Sequence, residues 1–249
     1  MSENTLSGII KLAVLPEKMQ ILHLCINSLS GTLNLSDLSV EMQRVDLSEN
    51  NFTGVIFLER LPEGSCLKNL SPSNNHLNGI ISLTSLPPSL TGLHLNQNTF
   101  EGSLDLTQLT ENRHVILLGD NLFSGKIDLR HLPVKLTDLS AANNRLVGTV
   151  CLTSLPPELW NLYLNGNTFE GSVDFTRLPE NLNTLELSNN MFSGEIDVSR
   201  LPGSLHHLDV RQNRLSGTVC KPPGMFCFDG LNLSDRLLDG NTDLIVEPQ

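Results

Sequence analysis

Aromatic side chains are scarce in this chain. They make up 4% of its 249 residues, with a single Trp and a single Tyr. Basic residues are also few: 16 Lys and Arg face 27 Asp and Glu, a net charge of −11. Nucleic acid and anionic membranes are therefore repelled by the average surface, and no Lys/Arg cluster offers a local exception. A partner with a basic surface is favoured, mainly through its on-rate. The five cysteines (Cys25, Cys66, Cys151, Cys220, Cys227) contain no CxxC and no zinc-finger spacing. No apolar run is long enough to cross a membrane, since the stretch from Ile9 to Leu15 is broken by Lys11. The start, Met1-Ser2-Glu3-Asn4, has an acid where a signal peptide wants a base. As written, the sequence reads as cytoplasmic. P-loop, G-x-S-x-G and kinase signatures are missing, and no cofactor is expected.

What the chain does have is a period. Asn4, Asn27, Asn50, Asn75, Asn98, Asn121, Asn144, Asn167, Asn190 and Asn213 each precede a glycine by four residues. The step is 23 residues, except for 25 between Asn50 and Asn75. Such a period predicts stacked units, each burying its apolar face against its neighbours. Within a unit the apolar positions alternate before the asparagine, as in Leu162-Tyr163-Leu164, and resume after it, as in Phe169, Val173 and Phe175. The alternation predicts a one-sided strand. The asparagine amide can satisfy backbone groups of adjacent turns. The glycine is expected where the chain turns again, at positive φ. Leu-Pro steps such as Leu86-Pro87 and Leu201-Pro202 are expected to close the convex side.

The inner pattern L-x-x-L-x-L-x-x-N-x-F-x-G-x-V-x-F resembles the leucine-rich repeat, and its glycine-isoleucine half resembles the plant-type subclass. The late Leu-Pro step is similar to that of protist, kinetoplastid-like members. The resemblance implies a leucine-rich-repeat solenoid: a curved, right-handed β/loop superhelix with a parallel concave sheet and a mostly non-helical convex side. Residues 1–219 would form about ten repeats, the first incomplete, and 220–249 a C-terminal cap and tail. A Cys220–Cys227 disulfide would tie that cap in an oxidising compartment, and both would be free thiols in a reducing one. Three repeats depart from the pattern: Pro72 replaces a strand leucine, Arg113 the leading leucine, and Ala141 another strand leucine.

Function in such a fold falls on the outward positions of the concave strands. The residue between the strand leucines runs through His94, Leu117, Ser140, Tyr163, Glu186 and Asp209. These, with Trp160, are the candidate partner-binding patch, since Tyr and Trp are the usual interface anchors. The alternative is that they are ordinary exposed residues and that Trp160 packs on the neighbouring turn. A second column, Asp105, Asp128, Cys151, Asp174 and Asp197, offers carboxylates but lacks the glycine alternation of calcium-binding repeats, so no metal site is expected. His206 and His207 read as a solvated strand edge. No catalytic residues are expected. The reading is a non-enzymatic module or scaffold that recognises a protein or peptide. The alternative is a secreted or surface-attached adhesin or receptor ectodomain whose signal peptide or anchor is missing, in which case the chain is extracellular. Four sequons, at Asn34, Asn51, Asn69 and Asn232, favour that alternative. An uncapped first repeat invites self-association.

Overall fold

A computed structural model describes residues 2–220, 240–241 and 243–247. Two parallel sheets wind through them. Nine three-residue strands, from Ile21–His23 to His207–Asp209, form the concave sheet in sequential order. Eleven strands form a second sheet just after the asparagines, from Ser7–Ile9 to Arg214–Cys220, ending on Asp243–Glu247. Register is strict: Ser140 pairs with Tyr163, and Tyr163 with Glu186. The described residues contain no α-helix, only short 3-10 turns such as Leu12–Val14 and Leu106–Gln108. The expectation of a largely non-helical solenoid is met.

Leucines of the concave strands and the Phe or Leu two residues after each asparagine from Asn27 to Asn213 form one continuous core. Phe100 stacks on Phe123 at 6.3 Å between ring centres, and Phe169 on Phe192 at 6.2 Å. Offset stacking at this range adds to the apolar area each ring buries.

The asparagines hold the turns together. Asn167 donates through Nδ2 to its own turn, at Leu164 O (3.1 Å) and Asn165 O (3.3 Å), and to the previous turn at Ala141 O (2.9 Å). Its Oδ1 accepts from Leu146 N–H of the previous turn at 3.0 Å. The same pattern recurs at Asn50, Asn75, Asn98, Asn121, Asn144, Asn190 and Asn213. Asn27 follows it from a half-buried position, with Oδ1 accepting from Leu6 N–H. Asn4 stays exposed, and its side-chain amide donates to Ser2 O. One ladder residue escaped the sequence pattern: Asn241 accepts from Leu215 N–H at 2.9 Å and donates to Val210 O at 3.0 Å. The repeat's hydrogen bonding thus runs past residue 219. Cys227 lies outside the described residues, so the proposed disulfide does too.

The glycine four residues after each asparagine has φ between 81° and 101°, as expected. At Gly79 a Cβ would also press on the preceding turn, 2.9 Å from Val55 Cγ2. The residue just before each asparagine also takes positive φ, which the sequence did not signal. Most such residues are Asn, Asp, Glu, Gln or Gly, but one is Ile26, at φ 56°. A β-branched side chain in this region is strained.

The departures are accommodated differently. Pro72 lacks the N–H that Leu47 donates to Ser71 O and Leu95 to Leu117 O, so one rung of the concave sheet is missing. Pairing with the following strand shortens to two residue pairs there. Ala141 is fully buried and fills less of the core than a leucine. Arg113 keeps the core position of the leucine it replaces and is 0% exposed.

Candidate concave-face site

The pleat decides which residues face outward. Leu162 and Leu164 turn into the core, so Tyr163 between them points to the concave side, half-buried among its neighbours. Because the strands are in register, His94, Leu117, Ser140, Tyr163, Glu186 and Asp209 lie in one row across six consecutive strands. Strand spacing of about 4.8 Å places neighbours in contact and makes the row about 24 Å long. His94 and Ser140 are separated by the Leu117 strand, beyond hydrogen-bond reach.

Trp160 does not share this row. It sits where the chain bends into the strand, with its N–H donating to Thr137 O at 2.8 Å and its carbonyl accepting from Asn183 N–H at 2.8 Å. The indole is 56% exposed, so it is not packed away on the neighbouring turn. It lines a separate rim groove with Glu158, Asn181, Asn183 and His206.

The two acids of the row, Glu186 and Asp209, are both partnered. Glu186 forms an ion pair with His207 Nε2. Asp209 is buried, 6% exposed, and receives Arg211 Nε at 2.9 Å, Nη2 at 2.6 Å and the Arg211 N–H at 3.0 Å. Burial pushes the Asp209 carboxyl up, but the Arg211 bonds outweigh it and the net shift is downward. His207 is therefore an ion-pair member and not a merely solvated edge. Burial pulls the His94 imidazole down towards its neutral form, against the attraction of Asp46 and Asp138. It also raises the Tyr163 phenol, which stays protonated and shares a hydrogen bond with Thr184. The row is a mixed surface: an aliphatic Leu117, a hydroxyl, a phenol, an imidazole and two partnered carboxylates.

The aspartate column has a local task. Asp105 accepts from Thr107 N–H and Oγ1, Asp174 from Thr176 in the same way, and Asp197 from Ser199 N–H. Asp128 forms a two-pronged pair with Arg130, which holds its carboxyl well below the usual range. Cys151 takes the same place with a thiol and shares a hydrogen bond with Thr153. Each residue closes its own turn, and the Asp-x-Thr/Ser spacing was the signal available for it. Among the described residues no three His, Cys, Asp or Glu side chains are grouped to hold a metal ion. Cys25, Cys66 and Cys151 are free thiols. Of the sequons, Asn34, Asn51 and Asn69 are exposed, and Asn232 lies outside the described residues. No helix among the described residues is long and apolar enough to cross a membrane.

No protein-family model and no curated protein matches this sequence. Solved structures do. The chain is similar to a plant ice-binding protein at TM-score 0.78 and 23% identity, over 100% of this chain and 82% of that one. It is similar to the Arabidopsis receptor kinase HAESA, solved with the peptide hormone IDA and the co-receptor SERK1, at TM-score 0.76 and 27% identity. That match covers 99% of this chain and 41% of the receptor chain. A TDR receptor matches at TM-score 0.67 and 25% identity, over 88% of this chain and 39% of that one. The chain thus spans about two fifths of each of these two receptor chains. Nothing in these likenesses supports the protist resemblance. The repeat pattern, the asparagine ladder and the structural likeness agree on the fold, a leucine-rich-repeat solenoid consistent with the plant type.

Proposed function

We propose that this chain is a non-enzymatic recognition module that binds a protein or peptide on its concave sheet. The supporting observation is the unbroken row from His94 to Asp209, in register across six strands and carrying the only Tyr. An extended peptide laid along the row meets Leu117 and Tyr163 as apolar anchors and Ser140 between them as a hydrogen-bonding group. The likeness to HAESA, a receptor solved with a peptide hormone, is consistent with that use. It also favours the ectodomain reading over an intracellular scaffold, as do three exposed sequons. The net charge of −11 still favours approach of a basic partner, although Glu186 and Asp209 themselves are already paired.

The test is capture of binding partners by the folded chain. Tyr163→Ala combined with Leu117→Asp should abolish capture while the circular dichroism spectrum is unchanged. Retained capture by the folded double variant would sink the concave-row reading. Labelling of thiols under denaturing, non-reducing conditions separates scaffold from ectodomain, since five reactive cysteines argue for a reducing compartment.

Self-association has its own support. Leu6, Ile9, Ile21 and Ile26 are exposed on the first turn, beside the outer edges of both sheets. Two copies meeting there would cover apolar surface and pair open strand edges. Sedimentation at micromolar concentration should show a dimer that Ile9→Lys with Ile21→Lys dissociates. A monomer in the unsubstituted chain removes the reading.

A further inference from the structure

Trp160 and its groove belong neither to the concave row nor to the scaffold. The groove is open and about 530 Å³ in volume. Its floor and walls come from four successive turns in two parallel rows: Glu158, Asn181 and Ser204 in one, Thr137, Trp160, Asn183 and His206 in the other. Backbone bonds fix the second row, with Trp160 O accepting from Asn183 N–H at 2.8 Å and Asn183 O from His206 N–H at 2.9 Å. The polar side chains are held as well. Asn181 Nδ2 donates to Pro157 O at 2.9 Å, and His206 Nδ1 donates to Ser204 O at 2.6 Å. Ser204 Oγ donates to Glu180 O at 2.6 Å or Leu182 O at 2.8 Å, which leaves its lone pairs as acceptors. The site is therefore largely ordered before any ligand arrives, which lowers the cost of binding.

The lining selects its ligand. No Lys or Arg lines the groove, and Glu158 is its one carboxylate, so phosphates, sulfates and uronates are repelled. A more than half-exposed indole offers a flat apolar face with a polar edge. Amide, hydroxyl, imidazole and carboxylate groups around it offer both donors and acceptors. A pyranose ring needs this combination: an apolar face of C–H groups to stack on the indole and a belt of hydroxyls that both donate and accept. The rows advance about 4.8 Å per turn, close to the step of a linear sugar chain, so four turns span roughly two to three rings.

We propose that this rim groove is a carbohydrate-binding site for a neutral, linear oligosaccharide, with Trp160 as the stacking platform and Asn181 and Asn183 as the hydroxyl-reading groups. It is independent of the concave row, because Tyr163 and Leu117 do not line it.

Trp160 is the only tryptophan, so intrinsic fluorescence reports on this groove alone. The intact chain is titrated with cellotriose, laminaritriose, mannotriose and tri-N-acetylchitotriose, and the variants are followed by saturation-transfer NMR and calorimetry. At least one sugar should produce a saturable spectral shift with a Kd of about millimolar or tighter. Asn181→Ala or Asn183→Ala should weaken it by about tenfold, the loss of one hydrogen bond. Trp160→Ala should abolish binding with an unchanged circular dichroism spectrum, and Tyr163→Ala with Leu117→Asp should leave it intact. The proposal is overturned if none of the four sugars gives a saturable response, or if the asparagine variants bind as the unsubstituted chain does. It is equally overturned if Trp160→Ala loses a captured protein partner and no sugar binds, which would assign the groove to a protein interface.

Discussion

The turn that ends on Asn190 and the turn that ends on Asn121 have nearly the same backbone and opposite chemistry at one core position. In the first, Leu182 fills the core and its N–H donates to Pro179 O at 3.0 Å. In the second, Arg113 occupies that position, equally buried, and its N–H donates to Thr110 O at 3.2 Å. Its Nη2 reaches Pro87 O at 3.0 Å and Leu86 O at 3.4 Å, while Nε and Nη1 have no partner. Burial works against its charge and lowers its pKa. Yet both turns keep the full asparagine ladder. The backbone of a turn is thus set by its asparagine and its neighbours strongly enough to enclose a guanidinium that a core disfavours.

Removing the ladder is the harshest way to break this comparison. Asn190→Ala deletes three donor bonds, at 3.0, 3.1 and 3.2 Å, and orphans the buried Phe169 N–H. Asn121→Ala deletes the equivalent set beside Arg113. Each should cost about 3 kcal/mol in urea unfolding. A much cheaper Asn121→Ala would show that the Arg113 turn is already loose. Next in size, Arg113→Leu makes the two turns alike and should stabilise the chain by about 1–4 kcal/mol. No gain in the urea midpoint would mean that the orphaned guanidinium nitrogens are satisfied after all.

Strain offers a smaller contrast. Ile26→Asn relieves the positive φ before Asn27 and should add about 1 kcal/mol, while Asn189→Ile, at φ 54° beside Asn190, should lose a similar amount. Equal and unchanged midpoints for both would deny that this position is strained. Asp209 gives the smallest effect and the sharpest counterpart to Arg113, as a buried charge whose partners are present. Its pKa is depressed in the folded chain, so its contribution is complete above the unfolded value near 4 and fades as pH falls through the folded value. Asp209→Asn should cost at most about 1 kcal/mol at pH 7, and the difference should shrink in acid. A difference that persists at low pH would mean that packing, not charge, is what Asp209 supplies.

Much of this was legible from residues alone. The spacing of asparagine, glycine and leucine gave the turns, the core and the outward row, because each position is repeated and one reading must satisfy all ten copies. What stayed hidden was local or singular. Asn241 comes 28 residues after Asn213, out of step, and only its Gly240-Asn241 pairing echoes Gly166-Asn167. Trp160 and Tyr163 are three residues apart in sequence, but the bend before the strand turns Trp160 to the rim. The pairing of Glu186 with His207 depends on a contact between neighbouring strands, which single-strand reading misses.

The ladder also has a direction. From Asn27 to Asn213, each ladder Oδ1 accepts from a backbone N–H 21 to 23 residues earlier, from Leu6 closed by Asn27 to Phe192 closed by Asn213. Each coil is therefore sealed by its successor. A chain emerging from the ribosome always ends in one unsealed coil, and every newly made asparagine locks the coil made before it. Synthesis and folding can advance in the same sense, like a zip whose slider is the latest asparagine. Asn241, sealing Leu215, is the last such closure among the described residues.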